Sequence, residues 1–137
     1  MKKILLFFVL ALTLLFCVNV KPVSASFSKE NPQELRGVWV STVSNIDISK
    51  QNGTTKEAIE AYKEKLIGIL DRIQAHGMNT IFFQVRPSND AFYESEYNAW
   101  SSYLVGYGEP VGWDPLEWMV EVTHERDMYF QCWMNAF

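Results

Sequence analysis

T-I-F-F-Q-V-R-P-S-N-D-A-F-Y, residues 80–93, is the stretch whose reading decides the fold. Ile81, Phe82, Phe83 and Val85 form a short, nearly unbroken apolar run. A strand buried on both faces reads this way, whereas a half-solvated strand alternates. The composition then changes within one residue. Arg86 is a fixed cation, Pro87 stops a ladder, and Ser88, Asn89 and Asp90 make a polar turn. A strand ending in this way delivers charge to the carboxyl end of a sheet, where α/β folds bind ligands. A second reading stays open here: Arg86 and Asp90 form an ion pair that merely fastens the loop.

On the amino side of this run lies a helix pattern. Thr54 with Glu57 three residues on has the form of a capping box. Ile59, Tyr62, Leu66, Ile69, Leu70 and Ile73 recur at spacings of three and four, with Lys63, Glu64 and Lys65 mostly off the stripe. Gly77 supplies the stop, and His76 in the last turn suits the negative end of the helix dipole. Before the helix, residues 35–42 are rich in β-branched and aromatic side chains and read as a first strand. Residues 44–53 between them form a polar loop.

On the carboxyl side, residues 90–112 form a long connection carrying Phe92, Tyr93, Tyr97, Trp100, Tyr103 and Tyr107. Loops of this length are usually functional or disordered, and so many rings argue against disorder. Aromatic faces flanked by Asn, Ser and Glu suit stacking on sugar rings. The competing reading is that the rings pack the loop onto its own domain, with Tyr93 and Trp100 the two best placed to line a cleft.

A second helix opens at D-P-L-E, residues 114–117. Asp114 is the cap, Pro115 takes the first helical position, and Leu116, Met119, Val120 and Thr123 share a face. Glu117 and Glu121 read as an exposed face, and His124 as solvated. The apolar run 128–134, ending at Asn135, reads as a third buried strand that places Asn135 at the same carboxyl edge as Arg86. Cys132, inside that run, reads as a buried, inert thiol.

Strand, helix, strand, helix, strand implies parallel strands. An open doubly wound sheet and the first three strands of a (β/α)8 barrel both fit this order. No G-x-G-x-x-G follows the first strand, so a dinucleotide fold has no support.

Totals narrow the function. The chain has 137 residues, enough for one small domain, and its 48% hydrophobic content describes a packed globular protein. Three of the twelve bases, Lys2, Lys3 and Lys21, lie in the first 25 residues, which hold no acid, so nine bases face sixteen acids beyond. Such a balance disfavours nucleic acid and anionic membranes as partners. Residues 1–25 have the form of an export signal: basic Lys2 and Lys3, an apolar core over residues 4–20, and the small residues Ser24 and Ala25 before a cut. Cleavage there gives a secreted or cell-envelope protein. An uncleaved signal would be its one attachment to the membrane. Residues 26–34 read as a linker and 35–137 as the folded part.

Four blocks carry a family resemblance: E-L-R-G-V-W-V-S-T (residues 34–42), F-F-Q-V-R-P-S-N-D-A-F-Y (82–93), E-Y-N-A-W (96–100) and D-P-L-E-W (114–118). In this order and spacing they resemble the glycosyl hydrolase-like 10 family of exported bacterial proteins. The resemblance implies a (β/α)8 (TIM) barrel, related to retaining glycoside hydrolases, acting on cell-wall polysaccharide such as peptidoglycan glycan. Arg86 and Asp90 match the family's R-P-x-x-D element, and Asn135 matches the Asn of its W-x-N-P element. Together with Tyr93 and Trp100 they are the expected substrate-binding residues. Ile48, Asn89, Asp127 and Ala136 depart from the family pattern, which usually has Trp, Gly, Gly and Pro there.

A complete (β/α)8 barrel needs at least about 200 residues. The chain holds three strands and two helices, so the fold expected is α/β: the first three βα units of a barrel, parallel and incomplete, lacking the C-terminal barrel half. No catalytic carboxylate pair can be named within it. No cofactor is expected, and no cluster with metal-ligand spacing is visible. The reading is an N-terminal fragment of a glycoside hydrolase-like protein, inactive alone. Its alternatives are a small secreted carbohydrate-binding or interaction module and a non-functional truncated product.

Overall fold

The computed structural model describes residues 34–106 and 109–136. The expected signal (1–25), all of the linker but Glu34, and Tyr107 lie outside the described residues.

Five elements follow in the expected order: strand β1 (Gly37–Val40), helix α1 (Lys56–Ala75), strand β2 (Thr80–Arg86), helix α2 (Pro115–His124) and strand β3 (Tyr129–Met134). The strands form one open α/β sheet in the order β1-β2-β3. Both pairings are parallel, with Val40 opposite Phe83 and Phe83 opposite Cys132.

The middle strand carries the core. Ile81, Phe83 and Val85 are sealed on one face of β2 and join a cluster with Tyr62, Leu66, Leu70 and Ile73 of α1 and Met119 and Val122 of α2. Burying such a set is the dominant favourable term in folding. On the other face, Trp39 stacks on Phe82 with ring centroids 4.7 Å apart, and Trp133 meets Trp39 edge-on at 5.1 Å. Gly37 makes room for this layer. A Cβ there would lie 2.4 Å from the Phe82 ring.

Local chemistry explains the helix ends. α1 is capped by Thr55, whose side chain accepts from the Ala58 N–H, and not by Thr54. Glu57 therefore falls one position short of the reciprocal contact that a capping box requires. At the other end Gly77 has φ +75°, its N–H donates to Gln74 O at 2.8 Å, and the Met78 N–H donates to Ile73 O at 3.1 Å. These two bonds make a Schellman stop. The same pair recurs after α2, where the Asp127 N–H donates to His124 O and the Met128 N–H to Thr123 O. There the left-handed position belongs to Asp127, at φ +54°. Asp114 caps α2 as expected, accepting from the Glu117 N–H at 3.0 Å.

Three further expectations are corrected. β3 is not a buried strand: Tyr129, Gln131, Cys132 and Met134 are exposed, because β2 is its sole strand neighbour among the described residues. Cys132 is accordingly exposed rather than sealed. Its partly apolar surroundings still push the thiol above its ordinary pKa. The buried face of α2 is also rotated from the one expected. Pro115, Met119, Val122 and Thr123 are buried, while Leu116 and Val120 are half-buried.

Candidate functional site

The carboxyl ends of all three strands arrive at one rim. The backbone N–H of Asn135 donates to the carbonyl of Arg86 at 2.9 Å. The Asn135 amide donates to Pro87 O at 2.8 Å and accepts from the Trp133 indole N–H at 3.0 Å. Asn135 therefore ties the end of β3 to the Arg86-Pro87 turn.

β1 is tied in by a residue that the apolar run hides. Gln84 is 1% exposed, and its side-chain oxygen accepts from the backbone N–H groups of Thr42 and Val43, each at 3.0 Å, and from the Ser41 hydroxyl at 3.1 Å. The Thr42 hydroxyl donates to the Gln84 carbonyl at 2.8 Å. A single buried amide so holds the loop leaving β1 against β2. Just beyond, Ser44 and Asn45 both have positive φ, 53° and 52°. Such geometry persists where surrounding bonds over-determine it. The Asn45 amide donates to Tyr103 O at 2.8 Å, and Asp47 accepts from the Ser41 N–H at 2.6 Å. The signal for Gln84 was present as a lone amide between Phe83 and Val85 in an otherwise apolar strand.

Arg86 is half-buried. One terminal nitrogen, Nη2, donates to the Asn89 side chain at 3.0 Å, while Nε is sealed from solvent with no acceptor. An N–H left in this state costs about 1–3 kcal/mol. Among the described residues Arg86 makes no ion pair. Asp90 does not face it. That carboxylate is 4% exposed, one oxygen accepting from the Ser88 N–H at 2.9 Å and the other from the Ser101 hydroxyl at 2.6 Å. These bonds close the loop on itself.

The long loop is packed. Ala91, Phe92, Leu104 and Val111 are fully buried, and Ala91 pairs with Trp100 in an isolated bridge. Tyr93 and Trp100 are both half-buried against the core, leaving part of each ring at the surface. Among the described residues the freest ring of the loop is Tyr97, 91% exposed. Trp39 is 60% exposed on the sheet face where Trp133 also lies. Exposed rings on a face that a strand pattern reads as buried could not be foreseen from periodicity alone.

With the rim assembled, its two defining runs, R-P-S-N-D after β2 and W-M-N at the end of β3, can be set beside known proteins. Residues 34–137 match the family described as glycosyl hydrolase-like 10. The chain belongs to the glycosyl hydrolase-like 10 family. Within the family it is similar to the glycosyl hydrolase YngK of Bacillus subtilis strain 168, 40% identical over 109 residues that cover 79% of this chain and 21% of the relative. It is also similar to the glycosyl hydrolase DigH of Escherichia coli K12, 32% identical over 145 aligned residues covering 93% of this chain and 33% of that protein. The chain thus spans between a fifth and a third of the curated relatives' length.

Proposed function

We propose that this chain is the first three βα units of a (β/α)8 barrel from an exported glycoside hydrolase-like protein, and that its rim binds cell-wall glycan without cleaving it. The observation that carries the reading is the meeting of Arg86 and Asn135 across the carboxyl ends of β2 and β3. Barrel enzymes assemble their sites at that end. Strand order follows chain order, and both helices send their apolar residues into the core on one face of β2. One half of a doubly wound sheet has the same order with its helices on one face, so it is membership of the glycosyl hydrolase-like 10 family, and not the topology, that favours the barrel. Among the described residues no strand pairs with the outer edges of β1 and β3, and those edges and the exposed Trp39 layer are what an unclosed barrel interior leaves behind.

Glycan is supported by the relatives' names and by the exposed parts of Tyr93 and Trp100 on the loop that follows the Arg86 turn. Arg86 would hydrogen-bond the sugar, while Asn135 and Asp90 shape the rim that presents it. Secretion rests on the basic and apolar character of residues 1–25.

Inactivity follows from the chemistry. Glycosidic cleavage ordinarily needs an acid and a second carboxylate about 5–10 Å apart. At this rim Asp90 is buried and occupied by its own loop. The purified protein, incubated with peptidoglycan glycan strands, is expected to release no reducing ends while retaining the glycan in a pull-down. Release above that of an Asp90→Asn control would overturn the reading. The exposed Tyr97 favours a second role as a small binding module, which retention of neutral oligosaccharide by the monomer, lost in Tyr97→Ala, would support.

A further inference from the structure

We propose that Arg86 is an anchor for a carboxylate carried by the ligand, so that this rim selects acidic sugars over neutral ones. The sugar part of the inference rests on the glycan reading above; the anion part does not.

A guanidinium is charged at every relevant pH and offers donors in a flat fork that matches a carboxylate. In this protein the fork is divided. Nε is enclosed without an acceptor, and Nη2 is held by Asn89 at 3.0 Å. Among the described residues Nη1 has no partner, and unlike Nε it is not sealed from solvent. Enclosing one edge removes water from half of the charge. It strengthens the pull of the open edge on an anion. Asn89 is itself fixed, with φ +54° and its carbonyl accepting from the Asn98 amide at 3.1 Å, so the fork is aimed before any ligand arrives.

Arg36 and Arg126 are also shielded, and each holds a carboxylate, Glu34 and Asp71 respectively. Arg86 holds none, although Asp90 stands four residues away and is turned to Ser88 and Ser101. The chain is acidic overall, at −4, so diffuse attraction of anions does not account for binding at this point.

The test is an NMR titration of the ¹⁵N-labelled protein, following the Arg86 Nε–Hε signal. Three probes are compared: N-acetylmuramic acid, which carries a carboxylate; N-acetylglucosamine, which lacks it; and D-lactate, the carboxylate without the ring. The expected result is a saturable shift with the first and third probes and none with the second. Arg86→Gln should weaken the acidic sugar roughly tenfold or more, and Arg86→Lys should keep part of the affinity. Equal response to both sugars would overturn the anchor while leaving the glycan reading intact. A response to lactate with neither sugar bound would keep the anion site and remove the glycan reading. No response to any probe would overturn the inference, and the wild-type titration decides this without a variant.

Discussion

The backbone N–H of Asn135 donates to the carbonyl of Arg86 across 2.9 Å, and that bond brings together two residues 49 positions apart in the sequence. It fixes which ends of β2 and β3 coincide. It depends in turn on the Asn135 side chain, which bridges Pro87 O and the Trp133 indole. Replacing Asn135 by Ala would leave two buried or half-buried groups without partners, at about 1–3 kcal/mol for the pair. The expected outcome is a lowered chemical-denaturation midpoint with unchanged slope, together with altered Trp133 fluorescence.

Gln84 should be the more sensitive position. Gln84→Leu keeps the volume and removes the acceptor for the Thr42 and Val43 N–H groups and the Ser41 hydroxyl. A loss of roughly 2–4 kcal/mol is expected. Amide hydrogen exchange should show Thr42 and Val43 losing protection before the α1 core does.

Asp127 predicts the opposite sign. It occupies, at φ +54°, the left-handed position that Gly77 occupies after α1. An L side chain is strained there, and glycine is not. Asp127→Gly should raise the stability by roughly 0.5–1 kcal/mol, read as an increase in Tm.

Much of this architecture was legible in the chain. Ile81, Phe83 and Val85 announced the central strand, the stripe from Tyr62 to Ile73 announced α1, and Asp114-Pro115 announced the start of α2. What failed to show has a common cause. Burial depends on neighbours, and a run such as 128–134 carries the same apolar signal whether or not a further strand lies beside it. The choice between Thr54 and Thr55 was equally invisible, since adjacent threonines satisfy the same cap chemistry. At the site, the expected placement of Arg86 and Asn135 on one rim was readable. The enclosure of Asp90 by Ser88 and Ser101 was not, because Ser101 lies across the long loop.

Tyr62 offers a pH test. Its hydroxyl is buried without a partner, and burial raises its pKa above the ordinary value of 10.0. The unfolded chain can ionise this group once pH passes that value, whereas the folded chain resists. The contribution to stability is therefore complete below pH 10.0 and declines above it, by roughly 1.4 kcal/mol per pH unit. Tyr62→Phe removes both the unpartnered hydroxyl and this decline. The variant is expected to be at least as stable at neutral pH and to hold a flatter stability profile in alkali, measured by urea unfolding at each pH.

The central claim is that these residues form the opening units of a glycan-binding barrel whose cleaving half lies elsewhere. It is tested most directly by grafting residues 34–137 in place of the matching segment of the Bacillus subtilis relative. Reducing-end release from purified wall glycan is then measured for the graft, the parent and this chain alone. The account predicts release by the parent and the graft, none by this chain, and a large loss when the graft carries Arg86→Gln. A folded graft that releases nothing while the parent is active, or release by this chain unaided, would contradict it.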